Sequence, residues 1–315
     1  MDQFIGEARS YGMNKVDLRV KIGELELKNP IITASGTFGF GREYGQYYDI
    51  NKLGAITTKG ITRNPRGGNP SPRIVETSAG IINSVGLENP GIDGFIEEEL
   101  PHLRKLSTPV IVNISGNTVE EYILLAQRLR ETKVAALEVN VSCPNVKKGG
   151  LNFGTSTHSV YAVTKAVRKN WDKLLIIKLT PNVTNISEIA LAAQEAGADS
   201  VSLINTLMAM DIDIQRRKPV LGNRMGGLSG PAVLPIALRM VYEVAKSVDI
   251  PIIGMGGIMT GEDAIKFLLA GATAISIGTA NFIDPLAPLK ILKGIEEYMA
   301  DNKYKAMPEI VGQLK

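Results

Sequence analysis

The chain holds a single cysteine, Cys143, among 315 residues. One thiol excludes an internal disulfide. It also excludes an iron–sulfur cluster ligated by this chain alone, because such a cluster needs about four Cys ligands. This usage fits a reducing, cytoplasmic setting. Aromatic residues are scarce, at 5%, and 35 basic residues against 32 acidic ones leave a net charge of only +3. The basic residues are scattered, apart from short runs such as Arg216-Arg217-Lys218. A nucleic-acid-binding face needs clustered positive charge and usually aromatics, so that class is not indicated. Long apolar runs are also missing. The most apolar window, FLLAGATAISIGTANFI, is interrupted by Gly, Thr, Ser and Asn, so no transmembrane helix is expected. The opening residues, MDQFIGEARSYGMNK, carry early acidic groups and no apolar run, unlike a signal peptide. Histidine is represented only by His102 and His158, both expected at the surface, and no metal-ligand spacing is visible. Trp171 and the methionines read as core filler.

What is present is ordinary globular material, 44% hydrophobic and 21% charged, long enough for a sizeable core. VDLRVKIGELELKNP reads as a hairpin around Gly23. Eight short apolar runs follow: PIITAS, GAITTK, PVIVNIS, ALEVNVS, LLIIKLT, SVSLIN, IPIIGMG and TAISIGT. They are nearly all apolar rather than alternating, as strands buried on both faces should be. Helical patterns such as TVEEYILLAQRLRET and NISEIALAAQEAG lie between most of them. The second has a cap-like Asn185 or Ser187 at its start and Gly197 at its end.

Strand–helix alternation implies a parallel sheet, and eight repeats imply an α/β fold of the (β/α)8 TIM barrel type. The same interval separates Asn113 from Asn140 as separates Lys178 from Asn205, close to the ~30 residues of one barrel unit. A doubly wound open sheet is the runner-up. The expected organisation is an extension over residues 1–15 and a single barrel domain over 16–315, with an N-terminal β-hairpin. Residues 61–109 and 206–232 are long insertions after the second and sixth runs, the latter with room for an extra hairpin. Such loops belong at the C-terminal face, where barrels bind substrate.

Lys59, Asn113, Asn140, Lys178 and Asn205 close five of the eight runs. In a barrel they converge on one pocket. Singly, each could point outward or cap a helix; together they favour a site, because buried Lys and Asn need partners. Two Lys and several amides suit a planar, electron-rich, multiply hydrogen-bonding ligand. The last two runs end in GMGG and SIGT, so Gly256, Gly257, Gly278 and Thr279 offer close backbone approach where barrels often bind phosphate. GLSG, ending at Gly230, offers another glycine approach. Phosphate plus a Lys-and-amide pocket fits flavin mononucleotide (FMN), and Lys178 or Lys59 would supply a cation beside the reduced ring. Cys143 sits on the loop after the fourth run, above such a pocket. A thiolate there can take a proton from carbon while hydride leaves an adjacent carbon; the alternative is an incidental small apolar residue. KKGG at 147–150 reads as a cationic loop that closes over an anionic substrate or as a solvated turn.

ASGTFGFGREY, NPSPRIVETSAGIINSVGLENPG, NVSCPNVKKGG, INTLMAMDIDI, GGLSGPA and IPIIGMGGI closely resemble the dihydroorotate dehydrogenases, above all the class 1B catalytic flavin subunits. The likeness runs from about Val16 to the final helix. It implies oxidation of dihydroorotate to orotate in de novo pyrimidine (UMP) biosynthesis, on one FMN per chain. In class 1 a Cys is the base, whereas the membrane-bound class 2 uses Ser and an N-terminal membrane segment. Carried over, Cys143 resembles the base that takes the C5 proton while the C6 hydride goes to the flavin. Asn83, Ser84, Val85, Gly86, Leu87, Asn140, Asn145, Asn205 and Thr206 resemble orotate contacts. Lys59 and Asn140 resemble contacts shared with FMN. Ser35, Gly60, Asn113, Lys178, Ile204, Gly230, Gly256, Gly257, Gly278 and Thr279 resemble FMN contacts.

Class 1B further implies NAD+ as the final acceptor, reached through a partner subunit carrying FAD and a 2Fe–2S cluster. It also implies a homodimeric core within a heterotetramer of two plus two. No G-x-G-x-x-G follows a strand here to suggest a dinucleotide site in this chain. The alternatives are a stand-alone, fumarate-reducing class 1A enzyme and another flavin barrel of the dihydropyrimidine dehydrogenase type.

Overall fold

The computed structural model describes residues 16–142 and 153–315. The expected extension over 1–15 lies outside them. The chain opens with an antiparallel hairpin of β1 (Val20–Ile22) and β2 (Leu25–Leu27), turning at Gly23 with φ +55°. A side chain at Gly23 would press on Leu174, the first residue of a barrel strand. The hairpin therefore covers the N-terminal end of the barrel, with Ile22 and Leu27 fully buried.

The following strands are β3 (Ile31–Thr33), β4 (Ile56–Thr57), β5 (Ile74–Thr77), β6 (Gly80–Asn83), β7 (Val110–Ile114), β8 (Ala136–Asn140), β9 (Leu174–Lys178) and β10 (Ser200–Leu203). After them come β11 (Leu207–Ala209), β12 (Ile212–Asp213), β13 (Lys218–Pro219), β14 (Gly226–Ser229), β15 (Ile252–Met255) and β16 (Ala274–Ile277). The eight apolar runs are the eight strands of one sheet, in the order β3-β16-β15-β10-β9-β8-β7-β4. Every pair in it is parallel. A further parallel bridge, Ile32 to Ala55, joins the two end strands and closes the ring. The expected (β/α)8 barrel is therefore present. Every residue of β7, β8 and β9 is buried, which is why those runs show no polar alternation.

The helices between strands carry apolar stripes toward the sheet. In Ile186–Glu195, Ile186, Ile189, Ala190 and Ala193 fall on one face and are buried. Each such Ile contributes about 1.5–3 kcal/mol when fully buried. Asn185 caps this helix, its side chain accepting from the Ser187 N–H at 3.1 Å. Gly197, at φ +99°, ends it in a left-handed conformation that favours glycine.

The two long insertions form something the sequence does not announce. β5 and β6 from the first pair with β14 and β11 from the second in one antiparallel sheet, β11-β14-β6-β5. A separate small hairpin, β12 with β13, matches the expected extra one. Among the described residues, no helix is long and apolar enough to cross a membrane.

Candidate functional site

A cavity of about 750 Å³ opens at the C-terminal ends of the barrel strands, bordered by the four-stranded insertion sheet. Lys59 lies just past β4, Asn113 in β7, Asn140 and Lys178 at the last positions of β8 and β9, and Asn205 just past β10. All five line the cavity. Asn140 and Lys178 are direct partners across the β8–β9 ladder, so their side chains share the barrel interior. Ser35, Gly60, Asn83, Ser84, Val85, Gly86, Leu87, Ile204 and Thr206 also border it, as do Gly230, Gly256, Gly257, Gly278 and Thr279. Cys143 and Asn145 lie outside the described residues, as does KKGG.

The electrostatics are one-sided. The lining includes Lys59, Lys178 and Arg224 and, among the described residues, no Asp or Glu. Lys178 is only 3% exposed, and its Nζ donates to Ser35 Oγ at 3.0 Å. A buried ammonium with one neutral partner suits an anionic or electron-rich ligand. Asn113 is fully buried and donates Nδ2 to Glu138 Oε2 at 2.6 Å. Its Oδ1 is buried with no hydrogen-bond partner. An unmet buried acceptor at a cavity wall is available to a donor that enters the cavity.

Gly256 and Gly257 have φ +128° and +74°. A Cβ on Gly256 would stand 2.6 Å from Ala237 Cβ, and one on Gly257 2.7 Å from Leu234 N. Only bare backbone fits, and both glycines border the cavity just after β15. Thr279, after the neighbouring β16, donates its hydroxyl to Ser229 Oγ at 2.9 Å, joining this edge to the insertion sheet. Adjacent loops after the last two barrel strands are a common phosphate cradle.

The segment Asn83–Leu87 is held from behind. Asn69 donates its backbone N–H to Val85 O at 2.9 Å and its Nδ2 to Ser84 O and Ser84 Oγ at 3.1 and 3.0 Å. Arg73 ties the same strap together through Gly67 O at 2.7 Å and Glu88 at 2.6 Å.

Several lining residues escape a reading of the sequence. Asn182 donates to Thr206 O at 3.0 Å and accepts from the Met208 N–H at 2.9 Å, fixing the chain beyond Asn205. Its only signal is its place just past LLIIKLT. Met208, Met225, Met255 and Met259 border the cavity, so these methionines are not mere core filler. Trp171 is core, at 1% exposure. His158 is exposed as expected, but His102 is half-buried, with Nε2 enclosed and unpartnered.

Against known proteins, the family model described as dihydroorotate dehydrogenase matches residues 17–299. A relative in Alkaliphilus metalliredigens named "Dihydroorotate dehydrogenase B (NAD(+)), catalytic subunit" is 58% identical, over 96% of this chain and 100% of that protein. Relatives of the same name in Geotalea uraniireducens and Thermoanaerobacter pseudethanolicus are each 55% identical, over 96% and 95% of this chain and 99% of either protein. Full-length likeness at this level carries the barrel and its insertions together, and the chain belongs to the dihydroorotate dehydrogenase family.

Proposed function

We propose that this chain is the catalytic subunit of an NAD+-linked dihydroorotate dehydrogenase, oxidising dihydroorotate to orotate in pyrimidine biosynthesis with FMN in the barrel mouth. The observation that carries the reading is the cavity wall itself. Lys178 is a buried cation, Asn113 Oδ1 is a buried acceptor without a partner, and Gly256-Gly257 is backbone that no side chain could replace. These donors and acceptors fit a flavin phosphate better than a sugar phosphate, since a bare sugar offers no ring N–H and no anionic ring edge.

On this reading Gly230, Gly256, Gly257, Gly278 and Thr279 hold the phosphate end. Ser35, Lys59, Gly60, Asn113, Asn140, Lys178 and Ile204 surround the ring. FMN, when bound, supplies the acceptor for the two electrons that leave substrate C6 as hydride. Asn83, Asn140, Asn145, Asn205 and Thr206 hydrogen-bond the amide edges and carboxylate of the substrate, with Ser84 to Leu87 forming its backbone cradle. The Cys143 thiolate takes the C5 proton. Lys59 and Arg224, both on the cavity wall, add positive charge that suits an anionic substrate.

The names of the relatives specify NAD(+) rather than fumarate and a catalytic subunit rather than a whole enzyme. We therefore place the FAD and the 2Fe–2S cluster on a partner subunit, in a heterotetramer built on a homodimer of this chain, in the cytoplasm.

The test is the visible spectrum of the purified chain under anaerobic conditions. A flavin band that bleaches on addition of dihydroorotate is the expected result. A chain that takes up no FMN, or whose flavin stays oxidised with dihydroorotate, overturns the reading.

A further inference from the structure

Glu138 and Lys178 are the only acidic and basic side chains among the buried described residues. Lys178 borders the cavity; Glu138 does not. Glu138 is two residues before Asn140 on the same face of β8, one layer deeper in the barrel. Among the described residues it joins no ion pair. Instead its carboxyl bridges the barrel interior. Oε2 accepts from Asn113 Nδ2 on β7 at 2.6 Å, and Oε1 accepts from Ser202 Oγ on β10 at 2.8 Å. Burying a carboxyl group is expensive, so its retention inside a barrel calls for a reason.

The reason lies in the amide that it holds. A primary amide has a donor end and an acceptor end of nearly the same shape, and its neighbours decide which faces where. Glu138 takes the donor end of Asn113. Turning that amide over would set its oxygen against Glu138 Oε2 at hydrogen-bond distance. The acceptor end must therefore face away, and Oδ1 does so without a partner. It lies against Gly60, where a Cβ would stand 2.8 Å from it. Gly60 also borders the cavity, so the acceptor is kept at the cavity wall. Ser202, fixed on β10 beside Lys178, keeps the carboxyl from rotating.

We infer that Glu138 is a positioning residue that sets the orientation of the Asn113 amide and so makes this wall a hydrogen-bond acceptor for a ring N–H of the bound cofactor. The inference rests on the proposed FMN reading for the identity of that ligand. A purely structural Glu138 would stabilise the barrel without regard to Asn113.

The experiment is a double-mutant cycle on cofactor affinity, with apo-protein titrated by the loss of free FMN fluorescence. The variants are Glu138→Gln, Asn113→Ala and the pair together. Glu138→Gln keeps the shape but lets the Asn113 amide turn over. We expect FMN to bind about tenfold more weakly, the scale of one buried hydrogen bond. Asn113→Ala should show a similar loss, and the double variant should be no worse than the poorer single one, because both remove the same interaction. The midpoint potential and visible band of bound FMN should also move in Glu138→Gln.

Losses that add in the double variant, or a folded Glu138→Gln with unchanged affinity and spectrum, overturn the inference. Should Glu138→Gln not fold, Ser202→Ala decides. It frees the carboxyl while keeping it, and should show part of the same weakening, absent on an Asn113→Ala background. Wild-type affinity in Ser202→Ala then overturns the inference. A wild-type chain that takes up no FMN removes the cofactor reading, and this inference with it.

Discussion

Lys178 and Ser35 meet across the mouth of the barrel, Nζ to Oγ at 3.0 Å, although β9 and β3 are four strands apart in the sheet order. The contact brings a cation from one wall to the start of the other. A Lys stem that crosses the interior is pre-extended, so little side-chain entropy remains to be lost when a ligand arrives. Replacing Lys178 by Ala removes the buried positive charge from the cavity. We expect FMN to bind at least about tenfold more weakly or its midpoint potential to fall, because reduced flavin is anionic. Ser35→Ala should show the same changes in smaller measure. Redox titration of both variants checks this, and a full flavin load at an unaltered potential in Lys178→Ala removes Lys178 from the cofactor site.

Cys143 carries the proton step of the proposed reaction. Cys143→Ser should keep its FMN yet lose most of its flavin reduction by dihydroorotate near neutral pH. A general base is worth about 10²–10⁴ in rate, and a hydroxyl is far less ionised than a thiol. Activity should recover partly as pH rises. Single-turnover reduction in stopped flow reads this directly; equal rates for the two proteins at pH 7 would exclude Cys143 as the base.

Asn69 bonds to Ser84 and Val85, two residues of the proposed substrate cradle. Asn69→Ala removes two side-chain hydrogen bonds from that segment, a loss of roughly 1–3 kcal/mol in its positioning. The expected signature is a raised KM for dihydroorotate with FMN content unchanged, since Asn69 bonds to Ser84 and Val85 and to none of the glycine loops assigned to the phosphate. Steady-state kinetics beside a flavin-to-protein ratio separates this from general destabilisation, which would lower the flavin ratio and the maximal rate and leave KM unchanged.

The barrel was legible because its physics is local. Runs such as LLIIK must be apolar on both faces, and Asn185 and Gly197 mark a helix by their own backbone chemistry. The polar end of β9 was legible for the same reason: Lys178 closes a strand whose other four residues are all apolar. What was hidden depends on partners distant in sequence. Gly227 pairs with Asn83, and neither short strand reveals the other. Met208 and Met225 look like core residues until that pairing places them at the cavity. Glu138 sits inside ALEVNVS as an ordinary strand residue, and only the distance to Asn113 gives it a task.

The helix Gly261–Leu269 follows the Gly256-Gly257 loop and begins with a capping box between Thr260 and Asp263. Burial pushes the Asp263 pKa up. Hydrogen bonds from Lys266, the Met259 N–H and Thr260, with the Lys266 charge, outweigh it and hold the carboxyl below its ordinary value. A depressed folded pKa means that the stabilisation is present above the unfolded pKa, about 3.9, and is lost as pH falls through the folded value. Asp263→Asn should therefore be less stable than wild type at pH 7, and the gap should narrow below about pH 4. Thr260→Ala should destabilise by about 1 kcal/mol at neutral pH. Urea unfolding across pH tests both; a gap that widens in acid contradicts the assignment.

On the proposed reading, electrons that reach FMN need a way out, and the chain's own composition restricts it. Its one Cys cannot ligate an iron–sulfur cluster, and on the proposed reading that Cys is already the base. No G-x-G-x-x-G follows a strand to cradle a dinucleotide. The purified chain should therefore bleach its FMN with dihydroorotate and then turn over slowly with NAD+ alone. Adding the candidate electron-transfer subunit should restore rapid NADH formation, with a visible FAD and iron–sulfur contribution that enters only with that subunit. The assay follows NADH absorbance with dihydroorotate in excess, with and without the partner, and in parallel with fumarate. Fast NAD+ reduction by the chain alone would remove the need for a partner, and fast fumarate reduction by the chain alone would contradict the NAD+-linked assignment.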